Sequence, residues 1–138
     1  DSLRAGPQAA KLQIWVDNRQ RMDELVCDGV LVATPAGSTA YNYSAHGPIL
    51  PMGADVLAMT ALNAYRPRRW RGALLPKTAV VRIDVLDNTK RPVMADADSI
   101  SFKNVKKVEI SSETKIQHRI LFNEGHGLDE RLIQEQFV

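Results

Sequence analysis

The residues most able to do chemistry lie between Cys27 and Pro48, where the chain reads CDGVLVATPAGSTAYNYSAHGP. Asp28 is a carboxylate at the start of an apolar run, able to accept from an amide or a ribose hydroxyl. The run then breaks at PAGSTAY, residues 35–41. A strand, a tight turn and a helix start make a ready site for an anion or dipole, because the first N–H groups of a helix lack intrahelical partners. Gly37 would let the backbone approach a ligand and adopt a left-handed conformation. Ser38 and Thr39 would cap the helix or bind a ligand hydroxyl. Tyr41 offers a flat ring face and one hydroxyl. The same residues also make an ordinary turn and cap. A nucleophilic Ser38 or Ser44 with His46 as base is the weaker reading: the pattern G-x-S-x-G is absent and no oxyanion donor is identifiable.

Other candidates are more diffuse. YRPRRWRG, residues 65–72, interleaves Arg66, Arg68, Arg69 and Arg71 with Tyr65 and Trp70. Such a cluster suits a solvated or subunit-contacting loop, a nucleotide or polyphosphate, or single-stranded nucleic acid through charge and stacking. His118 alternates with Ile116 and Ile120 and reads as a partly buried strand histidine. His126 lies near Glu124 and Asp129, but no spacing there resembles a zinc or calcium pattern. Cys27 has no neighbouring base or helix start to lower its pKa and reads as a packed thiol.

The elements that must carry these residues are mostly strands. KLQIWV puts Leu12, Ile14 and Val16 on one face, as in a half-buried strand. Asp17 and Asn18 supply turn chemistry, with QRMDELV as the returning strand. GVLVAT is continuously apolar, as in a strand covered on both faces. AVVRIDVLD, RPVMADAD, VKKVEIS and QHRILF follow, with DNTKRP turning between the first two. Strands recurring about every ten residues suggest packed antiparallel sheets. Two stretches break this rhythm: residues 38–46 read as a short helix, and GLDERLIQEQF as a C-terminal one. The latter places Leu128, Leu132 and Ile133 on one face, with Asp129 and Glu130 in its first turn. The expected fold is mainly β, a β-sandwich-like pair of antiparallel sheets with a short helix after PAGSTAY and a helix at the C-terminus.

Composition sets the outer bounds. The 138 residues fit one domain with its own core, and 44% hydrophobic with 25% charged residues is ordinary for a globular chain. A net charge of +2 gives no bulk electrostatic case for nucleic acid. No apolar run approaches the roughly 18–20 residues that span a membrane, and no signal peptide is evident. The single cysteine excludes an internal disulfide and favours a reducing compartment, so a cytoplasmic protein is expected.

DGVLVATPAGSTAYNYSAHGPIL resembles the signature of NAD kinases, D-G, three hydrophobics, S/T-T-P-T/S-G-S/T-T-A-Y-x-x-S-A/L-G-G-P-I, in order and without a gap. LLPKTAVVRI is similar to the family's L-x-L-P strand, MADADS to its D-G/S-x turn and ILF to its closing strand, so the likeness covers nearly all of residues 11–138. Departures fall at Val26, where a basic residue is usual, at Ala36, where Thr or Ser is, and at His46, which replaces the first glycine of a Gly-Gly pair.

The resemblance implies a phosphotransferase that converts NAD to NADP at the 2′-hydroxyl of the adenosine ribose, using ATP or polyphosphate with a divalent metal. It implies an N-terminal α/β domain followed by a C-terminal β domain, with the present residues 1–138 as the second. The family's Gly-Gly-Asp-Gly turn is not in this sequence, nor is the Asn-Glu pair that lies upstream. The NEG at 123–125 falls in the wrong order and reads as a loop. No catalytic residue is therefore expected here, and these residues alone should not turn over. Carried over by position, Thr39 and Ala40 would meet the dinucleotide at the helix start, Tyr41 would pack beside a base or ribose, and Ser44 would hydrogen-bond the ligand. Asp28 would reach the nicotinamide end, while Asn63 and Tyr65 would line an adenine pocket built across a subunit interface, in a dimer or tetramer. The alternative is a non-catalytic β-rich module for oligomerisation or nucleotide sensing.

Overall fold

The computed structural model describes residues 1–137 except Thr114, Gln117, His118, Ile120 and Phe122; of Leu128 it describes the backbone. The sequence expectations for His118 and for a QHRILF strand lie largely outside the described residues.

Among the described residues ten strands form two antiparallel sheets. The first expected hairpin is β2 (Ala10–Val16) and β3 (Arg19–Cys27), paired antiparallel. Ala10, Leu12, Ile14 and Val16 are all buried, as period-two alternation demands. Asp17 and Asn18 turn the chain with φ of 51° and 62°, the left-handed pair that suits a tight hairpin. β7 (Val81–Leu86) lies on the other side of β2, and β10 (Lys107–Ile110) completes a four-stranded sheet in the order β10-β7-β2-β3.

The second sheet has six strands. Its centre is β4 (Gly29–Ala33), the continuous apolar run, flanked by β1 (Ser2–Arg4) and β5 (Val56–Leu62). β6 (Gly72–Pro76), β8 (Val93–Ala97) and β9 (Ile100–Phe102) extend it to the order β6-β5-β4-β1-β8-β9. Val30, Met59, Ala61 and Val93 of this sheet share one core with Leu12, Leu25, Val81 and Ile83 of the other. The two sheets therefore pack face to face, and the sandwich expectation holds. Each fully buried aliphatic side chain there is worth about 1.5–3 kcal/mol.

Three features matter for the site. First, β3 belongs to one sheet and β4 to the other, and the single residue between them is Asp28. Second, the helix after PAGSTAY is one turn, α1 (Tyr41–Ser44), with turns on both sides rather than helix across 38–46. Third, β5 runs Leu57–Ala61 buried without alternation, and the loop after it carries the arginine cluster to β6. The C-terminal helix is α2 (Leu128–Gln136), with Asp129 and Glu130 in its first turn as expected. Leu132 is partly buried, but Ile133 is exposed, so the apolar face is narrower than its pattern suggests.

Candidate functional site

Asp28 is fixed at the corner between the sheets by its backbone and by both carboxylate oxygens. Its N–H donates to the Leu62 carbonyl at 2.8 Å, and its own carbonyl accepts from the Arg4 N–H at 2.9 Å. The Arg4 Nε sits 2.9 Å from Oδ1, and the Asn63 Nδ2 donates to Oδ2 at 2.9 Å. Two of the expected site residues thus touch each other. Arg4 escaped the sequence reading because nothing in a spacing of 24 positions links it to Asp28; only the β1–β4 pairing does.

Asn63 opens the loop after β5, in a left-handed conformation at φ 50°. Tyr65 follows, 73% exposed, its N–H donating to the Val26 carbonyl at 2.7 Å. The loop stays close to β3 through a second bond, from the Val26 N–H to the Arg66 carbonyl at 2.8 Å. At Gly72 the chain enters β6 with φ 139°, and a Cβ there would fall on the Met59 carbonyl oxygen. Only glycine fits that close pairing with β5.

The PAGSTAY segment is organised differently from its sequence reading. Ser38 is fully buried and caps nothing: its hydroxyl donates to the Pro35 carbonyl at 2.7 Å and accepts from the Leu50 N–H at 2.9 Å. That burial removes it as a nucleophile and as a ligand contact. Thr39 provides no cap either, since the N-cap of α1 is Ala40 and no side chain makes a cap bond. A single helical turn has only a slight dipole, so the force of an N-terminal anion site is small. Gly37 does not use the left-handed region; His46 does, at φ 65°. His46 stands where the resembled signature has glycine, and its backbone conformation is one that glycine adopts without strain.

What anchors this segment is Asn42, a residue the sequence reading missed. It is 1% exposed, donating to the carbonyls of Ser38 at 3.1 Å and Pro48 at 2.9 Å. Its Oδ1 accepts from the buried Thr60 hydroxyl at 2.6 Å. Gly47 closes over this bond, since a Cβ there would overlap the Asn42 carboxamide. A polar residue inside a helical stretch is an ordinary surface signal, which is why pattern alone does not expose it. The network ties α1 to β5 and leaves Tyr41 and Ser44 exposed.

The cleft these anchors create has a volume of about 560 Å³. One wall is the end of α1 with Ser44, Ala45 and His46; the other is Ala61–Tyr65; Arg69, Trp70 and Arg71 line the remainder. Ser44, Asn63 and Tyr65 are therefore brought together, with Asp28 bonded behind Asn63. Thr39 lies elsewhere, lining a pocket of about 210 Å³ with Pro35, Leu50 and Arg131 and Leu132 of α2.

Cys27 precedes Asp28 but faces the core, 1% exposed. Burial foremost, with the Asp28 charge adding and a hydrogen bond from the Gly29 backbone opposing, pushes its pKa up to about 12. It is an inert thiol, as its sequence context suggested. Among the described residues no three His, Cys, Asp or Glu side chains group as a metal site. His126 places its Nδ1 3.1 Å from the Glu124 carbonyl of its own loop.

Residues 3–118 match the family model described as the ATP-NAD kinase C-terminal domain. The chain belongs to this family. An NAD kinase of Cereibacter sphaeroides is 73% identical over 136 residues, 99% of this chain and 54% of the relative. That of Hyphomonas neptunium is 56% identical over 99% of this chain and 53% of its own. The chain thus spans about half the length of the curated relatives it matches. Among solved structures, yeast NADH kinase complexed with NADH superposes with a TM-score of 0.72 at 28% identity, over 83% of this chain and 33% of that one. An Archaeoglobus fulgidus NAD kinase in complex with ATP shares the fold, with a TM-score of 0.68 at 24% identity over 82% and 43%. Among the described residues of this ATP-NAD kinase C-terminal domain, no helix is long and apolar enough to cross a membrane.

Proposed function

We propose that this chain is the dinucleotide-binding part of an NAD kinase, an enzyme that phosphorylates the adenosine-ribose 2′-hydroxyl of NAD to give NADP. The observation that carries the reading is the cleft shared by Ser44, Asn63 and Tyr65, with Asp28 held behind it by Arg4 and Asn63. Family membership over residues 3–118 supports a dinucleotide as the ligand of that cleft. Ser44 supplies a hydroxyl, Asn63 an amide, and Tyr65 an exposed ring on which a base can stack.

In this reading Tyr41 at the start of α1, with Thr39 and Ala40 just before it, contacts a part of the same dinucleotide that extends outside the cleft. Asp28 and Asn63 share a hydrogen bond, so within one copy they meet the same part of a ligand. A pocket with Asp28 at the nicotinamide end and Asn63 with Tyr65 at the adenine end therefore draws those ends from two copies. That supports a homo-oligomer, a dimer or tetramer, with the exposed Tyr65 at its interface.

Phosphoryl transfer needs positioned charge around the transferred group. Among the described residues no three His, Cys, Asp or Glu side chains group as an all-protein metal site. In this reading the divalent ion and the phosphate donor, ATP or polyphosphate, are handled with an N-terminal α/β domain. The setting for this activity is the cytoplasm.

Calorimetric titration with NAD, NADP and ATP tests the reading. NAD or NADP binds saturably, and Asp28→Ala and Tyr41→Ala each weaken binding. Absence of dinucleotide binding, with Asp28→Ala leaving oligomer size and stability unchanged, would instead favour a β-rich oligomerisation module.

A further inference from the structure

The arginine loop between β5 and β6 is the feature that the proposed dinucleotide pocket leaves unused. Arg69 and Arg71 both line the cleft that Ser44 and His46 also line. Arg71 and His46 also line a second hollow of about 310 Å³ that continues past Gly47 and Pro48 to Leu74. The cationic surface therefore runs on beyond the part of the cleft occupied by Asn63 and Tyr65.

Among the described residues these charges have no counter-charge within 4 Å. Arg4, Arg66, Arg82 and Arg91 each have an acidic partner within 4 Å: Asp28, Glu24, Asp84 and Asp87 in turn. Among the described residues Arg68, Arg69 and Arg71 have none. Asp28, the carboxylate of the site, is already engaged through both oxygens by Arg4 and Asn63. Two arginines lining one concave surface, with no acidic partner among the described residues, suit an anion that can be held at two oxygens.

The backbone holds the pair in place. Arg69 takes a left-handed φ of 61°, an uncommon conformation for a residue with a side chain. It is fixed by its N–H to the Ala64 carbonyl at 3.2 Å, and the following Trp70 N–H reaches the Pro67 carbonyl at 3.2 Å. The Arg71 carbonyl accepts from the Ala61 N–H at 2.9 Å, which locks that residue to the end of β5. Arg68 belongs to the same loop but does not line the cleft.

We infer that Arg69 and Arg71 form a subsite for a phosphate group, resting on the reading of the cleft as a dinucleotide pocket. The shared chemistry is an anionic phosphate group; its source is either the 2′-phosphate of NADP or the chain of a polyphosphate donor. NAD and NADP differ by that one phosphate, so their comparison isolates the first source. Inorganic tripolyphosphate isolates the second.

The test is calorimetric titration of the chain and of its Arg69→Gln, Arg71→Gln and Arg68→Gln variants with NAD, NADP and tripolyphosphate. Arg69→Gln and Arg71→Gln are expected to weaken NADP or tripolyphosphate about tenfold or more, the scale of losing a charge-assisted bond, and NAD by less than about threefold. Arg68→Gln removes the same charge from the same loop and is expected to leave all three within about twofold. Selective loss of NADP assigns the 2′-phosphate; selective loss of tripolyphosphate assigns the donor. If NAD binds normally and neither phosphate ligand responds more than NAD, the subsite is wrong and the dinucleotide reading stands. An equal response of all three arginine variants also overturns it, because a diffuse field would then account for binding. Tripolyphosphate binding that depends on Arg69 and Arg71 without any NAD binding keeps the subsite and removes the dinucleotide reading. Failure of all three ligands to bind removes both. Unchanged denaturant midpoints in the variants confirm that folding is not the cause.

Discussion

Removing the Asn42 side chain should cost far more stability than an asparagine on a one-turn helix ordinarily would. In Asn42→Ala, three hydrogen bonds disappear: those to the Ser38 and Pro48 carbonyls, and the 2.6 Å bond from Thr60. Each net bond is worth about 0.5–1.5 kcal/mol, and any partner left buried and dry adds about 1–3 kcal/mol. Asn42 and Thr60 are each 1% exposed, so little water can replace the lost partner. A loss of about 3–5 kcal/mol follows, a large share of the roughly 5–15 kcal/mol by which a domain is stable. Thr60→Val removes one of the three bonds and should cost about 1–2 kcal/mol. Because both changes delete the same Asn42–Thr60 bond, the double variant should cost less than the two singles together, by about 1 kcal/mol or more. Urea unfolding followed by the fluorescence of Trp15 and Trp70 measures all of these, provided the m-values agree. The bond also joins the two cleft walls, α1 and β5. Thr60→Val should therefore weaken NAD binding although Thr60 is buried away from the ligand. An Asn42→Ala loss below about 1 kcal/mol, or strictly additive singles, would refute the claim that this network holds the site together.

Cys27 gives a pH signature. Its folded pKa of about 12 stands above the ordinary 9.0, so as pH rises the unfolded chain loses this proton first. The contribution to stability is intact below pH 9 and falls towards pH 12, by at most about 1.4 kcal/mol per pH unit. The stability difference between the wild type and Cys27→Ala should narrow between pH 8 and about 10.5; parallel pH curves would contradict the burial argument. Gly72→Ala should destabilise by at least about 2 kcal/mol, because its φ of 139° strains any side chain and the Met59 backbone blocks the new carbon. A denaturant midpoint unchanged from the wild type would show that the β5–β6 pairing can yield. Arg4→Ala should lower stability by less than about 1 kcal/mol, since the Arg4–Asp28 pair is 39% and 38% exposed. Its larger effect should be on NAD affinity through a loosened Asp28, so equal affinities of Arg4→Ala and wild type would dissociate that pair from binding.

Much of this protein was legible in local patterns. Alternation in KLQIWV, the Asp17–Asn18 turn and the unbroken GVLVA run identified β2, its hairpin and β4, because a strand's side-chain period and a turn's φ demands are local properties. The PAGSTAY signature located the segment that shapes one cleft wall and pointed to the family. β1 and β9 were missed because three residues carry no period, and β5 because VLAMTAL neither alternates nor carries the dense β-branched run that marks β4.

What the sequence alone could not decide was which polar residues face a ligand and which hold the fold. Ser38 and Thr39 look alike as caps, yet Ser38 is buried against Leu50 and Thr39 faces a different pocket. Asn42 passes for a surface residue until β5 arrives from 18 positions away to meet it. Asp28 gains its meaning from Arg4, Leu62 and Asn63, which pairing across the six-stranded sheet brings to one corner. Sequence fixes each donor and acceptor and its near neighbours along the chain. Long-range strand pairing decides which of them are satisfied internally, and so which remain free to bind.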